Sequence, residues 1–110
     1  MQISSHQQNG IRVFVLEGRI DSNGAGIMDE ALQHAVAGGS HQIVLDLSGV
    51  SYINSAGLRT LADILTKCRE NGGDMFLVAL SPKVDRVFRI IGFDKFFDAF
   101  DSVEAAVSSF

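Results

Sequence analysis

Ser55 is the residue in this chain best placed to do chemistry. It lies in Asp46–Leu58, which reads D-L-S-G-V-S-Y-I-N-S-A-G-L, at the point where an apolar strand gives way to a helical pattern. A serine hydroxyl at a helix start can cap the first turn, accept a phosphoryl group or be read by a partner. Hydrolase chemistry has weaker support, because no G-x-S-x-G elbow surrounds Ser55. A serine-dependent enzyme would lose turnover in Ser55→Ala while still binding its substrate. His6, His34 and His41 fall on an edge strand, a helix and a strand entrance, and none has a carboxylate or cysteine at metal-ligand spacing. Glycine loops of the Walker or dinucleotide-binding type are absent. Cys68 continues an apolar stripe and reads as core. The chain is therefore read as a binding protein, with no metal and no cofactor of its own.

The elements that position Ser55 follow from hydrophobic periodicity. Ile43, Val44 and Leu45, continuing through Asp46 and Leu47, form a short branched run typical of a buried strand. Gly49 to Asn54 reads as a partly buried loop. Leu58, Leu61, Ala62, Leu65 and Cys68 then recur at helical spacing, with Arg59, Thr60, Asp63, Thr66 and Lys67 between them on a solvated side. Asn54 and Ser55 are both suitable N-caps, and the spacing does not choose between them. Asn71-Gly72-Gly73 supplies the stop.

Upstream, Asn9-Gly10 marks a hairpin between the Gln2–Gln7 region and a strand carrying Ile11, Val13 and Val15. Asp21-Ser22-Asn23-Gly24 breaks that strand, with Asp21 a possible helix cap, and Ile27, Ala31, Leu32, Ala35 and Val36 follow at helical spacing up to Gly38-Gly39. Downstream, Met75 to Leu80 is a second buried run, and Ser81-Pro82 opens a helix with Val84, Val87, Phe88 and Ile91 as its stripe. Gly92 ends it, and Phe96-Phe97 leads to a short strand near Ala99-Phe100. The Phe-rich stretch reads as core. Asp101 and Glu104 form a capping-box pattern for a terminal helix with Val103, Ala106, Val107 and Phe110. Strands alternating with helices imply parallel crossovers in an α/β domain of order β-β-α-β-α-β-α-β-α.

Composition narrows the function classes. The 110 residues form one domain, with 46% hydrophobic side chains and a mean hydropathy of +0.20, as expected of an ordered core. Net charge is −4, the isoelectric point is about 5.1, and the nine Lys and Arg residues are scattered. Nucleic-acid binding needs a concentrated basic footprint, so direct DNA contact is not expected. No apolar run approaches the ~20 residues of a membrane span. Met1-Gln2-Ile3-Ser4 lacks a signal-peptide start, and a single cysteine suits a reducing compartment, so a cytoplasmic location is expected.

Three segments together resemble the STAS domain family, which includes the bacterial anti-sigma factor antagonists. They are L-D-L-S-G-V with Tyr52-Ile53 and N-S-A-G-L, the earlier Leu16-Glu17-Gly18-Arg19-Ile20-Asp21, and Val78-Ala79-Leu80-Ser81-Pro82-Lys83-Val84 followed by Phe88 to Phe97. The resemblance covers residues 1–110 and implies a mixed sheet of about five strands with helices packed mainly on one side. It also implies an anti-anti-sigma factor that binds an anti-sigma factor and so releases a sigma factor. In the family, the first serine of D-S-S-G or D-S-T-G is the phosphorylated one, and that position maps onto Ser55. Here Asn54 replaces the usual Asp, and Ala56 replaces the second hydroxyl residue.

The resemblance further implies that an anti-sigma factor with serine-kinase activity modifies Ser55 and that a phosphatase resets it. The chain itself would be a monomer or weak dimer. Asp21, Asn23, Asn54, Ser55, Ala56, Gly57 and Arg59 are the expected partner-binding residues. For Gly57 the residues leave open whether the missing side chain relieves crowding or admits a partner backbone. Asp46 reads as a hydrogen-bonding anchor. The alternative, which Asn54 keeps open, is a STAS scaffold that is never phosphorylated and acts in a larger signalling or envelope-associated assembly.

Overall fold

The computed structural model describes residues 1–110. Its element order is β1 (Gln2–Gln8), β2 (Ile11–Ile20), α1 (Ser22–Ala37), β3 (Gln42–Ile53), α2 (Ser55–Glu70), β4 (Asp74–Val78), α3 (Pro82–Ile91), a 3-10 turn at Phe93–Lys95, β5 (Ala99–Phe100) and α4 (Val103–Ser108). The strands form one sheet in the order β1-β2-β3-β4-β5. β1 and β2 are antiparallel, joined at Asn9-Gly10, where both φ angles are positive as a tight primed hairpin turn requires. The remaining neighbours are parallel, with helices as crossovers.

Side-chain alternation divides the core into two layers. Phe14, Leu16, Ile43, Leu45, Met75 and Leu77 point to one face and pack against Met28 and Leu32 of α1, Leu61, Ile64 and Cys68 of α2, and Val84 and Phe88 of α3. Val13, Val44, Phe76 and Val78 point to the other face and meet Ala106 and Val107 of α4. Phe110 stacks on Phe76 with ring centroids 4.2 Å apart. Three helices thus cover one face and the short terminal helix lies on the other, in keeping with the mixed sheet and mainly one-sided packing that the resemblance implies.

Several local expectations need correction. The region from Gly49 to Ile53 is strand, not loop: β3 runs on to Ile53 and stays paired with β2 as far as Ile20. The hydrophobic pattern missed this because the pairing register shifts twice, between Val15 and Glu17 and between Gly18 and Arg19, with an extra β3 residue opposite each step. Such bulges break the two-residue alternation while keeping the ladder. β4 stops at Val78, not Leu80, and Ala79 takes a positive φ of 55° where the chain turns towards α3. The terminal helix is capped by Ser102, whose side chain accepts from the Ala105 amide, and not by Asp101. Ile91 does not pack: it is exposed, as are Ile90 and Phe96. Of the phenylalanines near the C-terminus, Phe88 and Phe97 are core.

Candidate functional site

β2 and β3 are adjacent parallel strands, so the helices that follow them start side by side at the same end of the sheet. The Asn54 amide donates to the Ile20 carbonyl at 2.9 Å, tying the start of α2 to the end of β2. Both starts are capped in the same way. Asp21 Oδ1 accepts from the Gly24 amide at 2.9 Å, and Asn54 Oδ1 accepts from the Gly57 amide at 2.9 Å. Each cap residue is extended, and a serine takes the first helical position: Ser22 in α1 and Ser55 in α2. Asn54 is therefore the N-cap that the sequence left undecided. Ser55 is exposed, and its hydroxyl takes part in none of the molecule's side-chain hydrogen bonds.

The glycines at these starts are packing residues. A Cβ on Gly57 would lie 2.6 Å from Ile20 Cγ2 and 2.9 Å from Ile53 Cγ1. A Cβ on Gly24 would overlap the carbonyl oxygen of Arg19. Gly57 is buried, so of the expected partner-binding residues it stands behind the surface while Asp21, Asn23, Ser55 and Arg59 are exposed. Ala56 and Asn54 are half-buried.

An open groove of about 410 Å³ runs between α1 and α2, with Ser22, Gly26 and Asp29 on one wall and Ala56, Arg59 and Asp63 on the other. It brings Ala56 and Arg59 together with α1, but Asp21, Asn23, Asn54, Ser55 and Gly57 do not line it. Below it, polar side chains bridge the helices. Gln33 Nε2 donates to Asp63 Oδ2 at 2.7 Å and to Asp29 Oδ1 at 3.2 Å, while Lys67 Nζ donates to Gln33 Oε1 at 2.7 Å. The Thr60 hydroxyl reaches Asp29 Oδ1 at 3.4 Å, and Lys67 lies 3.3 Å from Asp63. Thr60 and Asp63, read from sequence as a solvated face, are thus part of the inter-helix tie.

Other candidates are accounted for structurally. Asp46 Oδ1 accepts from the Ser48 amide at 3.0 Å, the anchoring role expected of it. Cys68 is buried in the core, and desolvation, helped by the charge of Asp74, raises its thiol pKa from 9.0 to about 11, so little reactive thiolate forms near neutral pH. No three His, Cys, Asp or Glu residues group closely enough to hold a metal ion, and no helix is long and apolar enough to cross a membrane. The sequence reading missed Ser22, Asp29 and Gln33. The repeat of spacing between D-S-N-G and N-S-A-G was the available signal for Ser22; nothing local marks the other two, which meet their partners across the groove.

A mixed β-sheet with crossover helices on one face and two capped helix starts exposed at one end defines a small α/β interaction domain. The STAS domain model matches residues 2–106, and the chain belongs to that family. It is 34% identical over 110 residues to BtrV of Bordetella bronchiseptica, covering 100% of this chain and 95% of that one. Among solved structures, an anti-sigma factor antagonist from Mycobacterium paratuberculosis superimposes with a TM-score of 0.88 at 28% identity, covering 98% and 92% of the two chains. The anti-sigma factor antagonist SpoIIAA has been solved unphosphorylated, with a TM-score of 0.77, 17% identity and coverage of 98% and 96%. The phosphorylated form of this Bacillus cell fate determinant gives the same score and identity, with coverage of 98% of both chains. At that identity the likeness to SpoIIAA is one of fold.

Proposed function

We propose that this chain is an anti-sigma factor antagonist of the cytoplasm. Its exposed α1 and α2 starts bind an anti-sigma factor, and the sigma factor that was held is released. Phosphorylation of Ser55 ends the interaction. The anti-sigma factor acts as a serine kinase: the Ser55 oxygen bonds to the γ-phosphorus of ATP, ADP leaves, and the hydroxyl proton passes to a base on the kinase. A phosphatase restores the hydroxyl.

The observation that carries this reading is the idle hydroxyl of Ser55. Asn54 performs the capping, so Ser55 is exposed at the first helical position without a structural hydrogen bond to lose. A phosphoserine there would add about −1.5 to −2 charges beside a helix start that favours anions, so the fold would survive while the binding surface changed. The membership of the STAS family, together with a 28% identical neighbour that is an anti-sigma factor antagonist, supports the partner class.

The test is incubation of the purified chain with its anti-sigma factor and ATP, followed by peptide mass spectrometry and a binding assay. Phosphate on Ser55 with loss of the complex is expected, and Ser55→Ala should bind yet resist modification. A stable complex whose Ser55 stays unmodified, under conditions where a phosphorylated relative reacts, would favour a STAS scaffold instead. The neutral Asn54 in place of the family's carboxylate is the feature that supports that second reading.

A further inference from the structure

We propose that the cleft between the end of β3 and α3 is a second contact for the same partner, taking an acidic segment with an adjoining apolar side chain. This rests on the antagonist reading above and specifies the chemistry of the partner.

The cleft encloses about 290 Å³ and is lined by Arg19, Lys83 and Arg86, with Tyr52, Val84 and Val87 among its walls and no carboxylate. Three of the chain's nine Lys and Arg side chains thus converge on one site of a molecule whose net charge is −4. All three are exposed, and none belongs to an ion pair. Of the six cations elsewhere, three are paired: Lys67 with Asp63, Arg69 with Asp74 and Arg89 with Asp85. Asp85, the acid on α3 nearest in sequence to Lys83 and Arg86, is committed to Arg89 at 2.8 Å. The cleft therefore gathers three cations with no carboxylate in its lining and no ion pair, an arrangement that recruits and orients an anionic partner.

Its geometry suits a protein segment. The Arg19 guanidinium lies 4.3 Å from the centroid of the Tyr52 ring, which holds that cation in place before any partner arrives. Arg and Tyr in this arrangement are the residue types that dominate binding energy at interface centres. Val84 and Val87 add apolar wall for a side chain next to the carboxylates. A nucleic acid would demand a longer basic track than three cations provide.

Position links the cleft to Ser55. Tyr52 and Ile53 run directly into Asn54 and Ser55, so a partner seated on the α2 start extends naturally over α3. The α1–α2 groove on the other side carries Asp29 and Asp63 together with Arg59, and Asp63 is paired with Lys67. Only the cleft is lined by cations without a carboxylate, so an acidic segment has one favoured side.

The test compares binding of each purified anti-sigma factor of the chain's own cells to wild type, Lys83→Glu, Arg86→Glu, Ser55→Asp and Lys95→Glu. Each variant is first shown by thermal melting to be folded. Each cleft reversal should weaken binding at least about tenfold, chiefly at low salt, while Lys95→Glu, with the same change in net charge, should leave it within about twofold. Replacing an acidic residue of the partner by Lys should restore binding to one of the reversals. If Ser55→Asp abolishes binding but both cleft reversals bind like wild type, the cleft is not a contact and the antagonist reading stands. If wild type binds no anti-sigma factor, both fall. Titration with inorganic phosphate and with ATP, followed by NMR, separates a small-anion site: saturable shifts at Arg19 and Arg86 without any effect of the reversals on partner affinity would overturn the proposal.

Discussion

At the start of α1, Asp21 caps the helix through the Gly24 amide and Ser22 takes the first helical position; at the start of α2, Asn54 caps through Gly57 and Ser55 takes that same position. Both glycines are there because a methyl group would collide, with the Arg19 carbonyl at one start and with Ile20 and Ile53 at the other. The spacing of cap, serine and glycine is therefore a solution to a packing problem posed twice, where β2 hands over to α1 and β3 to α2. It is not in itself a mark of regulation. What separates the two starts is charge and surroundings. Ser22 follows the carboxylate of Asp21, whereas Ser55 follows the neutral amide of Asn54. Ser55 follows Tyr52 and Ile53 of the cleft wall, whereas Ser22 lines the α1–α2 groove.

This contrast can be broken most sharply at the serines. Ser55→Asp is expected to weaken anti-sigma factor binding by about 2–4 kcal/mol, and Ser22→Asp by less than about 1 kcal/mol, as read by calorimetric titration. Equal losses would mean that the two starts are used alike. The glycines test whether the shared architecture is a matter of packing. Gly24→Ala, which drives a methyl group into backbone, should cost about 2–3 kcal/mol in denaturant unfolding, and Gly57→Ala, which meets side chains, about 1–2 kcal/mol. A neutral Gly57→Ala that still impaired binding would reassign that glycine to the interface. The smallest effect lies at the caps, where Asp21→Ala and Asn54→Ala should each lower stability by about 1 kcal/mol. Asn54→Asp should retain the cap, and comparing its rate of phosphorylation with wild type would measure what the missing carboxylate does.

Much of the fold was legible because its elements end in strong punctuation. Asn9-Gly10, Gly38-Gly39, Asn71-Gly72-Gly73, Ser81-Pro82 and Gly92 each sit where the structure turns or stops. The end of β3 was not legible, because its two bulges scramble the alternation on which strand reading depends. Ile91 followed the helical stripe of α3 yet is exposed, since the stripe records spacing and not how far the underlying sheet extends. For the site, Ser55 and Arg59 were visible as exposed positions of a helix start. The burial of Gly57 and the cross-helix roles of Asp29, Gln33 and Asp63 depended on which neighbour stands opposite.

By itself the sequence determined the order of strands and helices, the acidic character of the chain, and Ser55 as the hydroxyl of its short motif. Those properties are local: they follow from periodicity, turn chemistry and composition. Tertiary structure decided that Asn54 takes the cap and leaves the Ser55 hydroxyl free, and that Gly57 belongs to the core. It also decided that Arg19, Lys83 and Arg86, more than sixty positions apart between the first and the others, share one cleft. Such facts arise from parallel crossovers that bring distant segments to the same end of the sheet, and pairwise distance in space is not encoded in the spacing of any one segment.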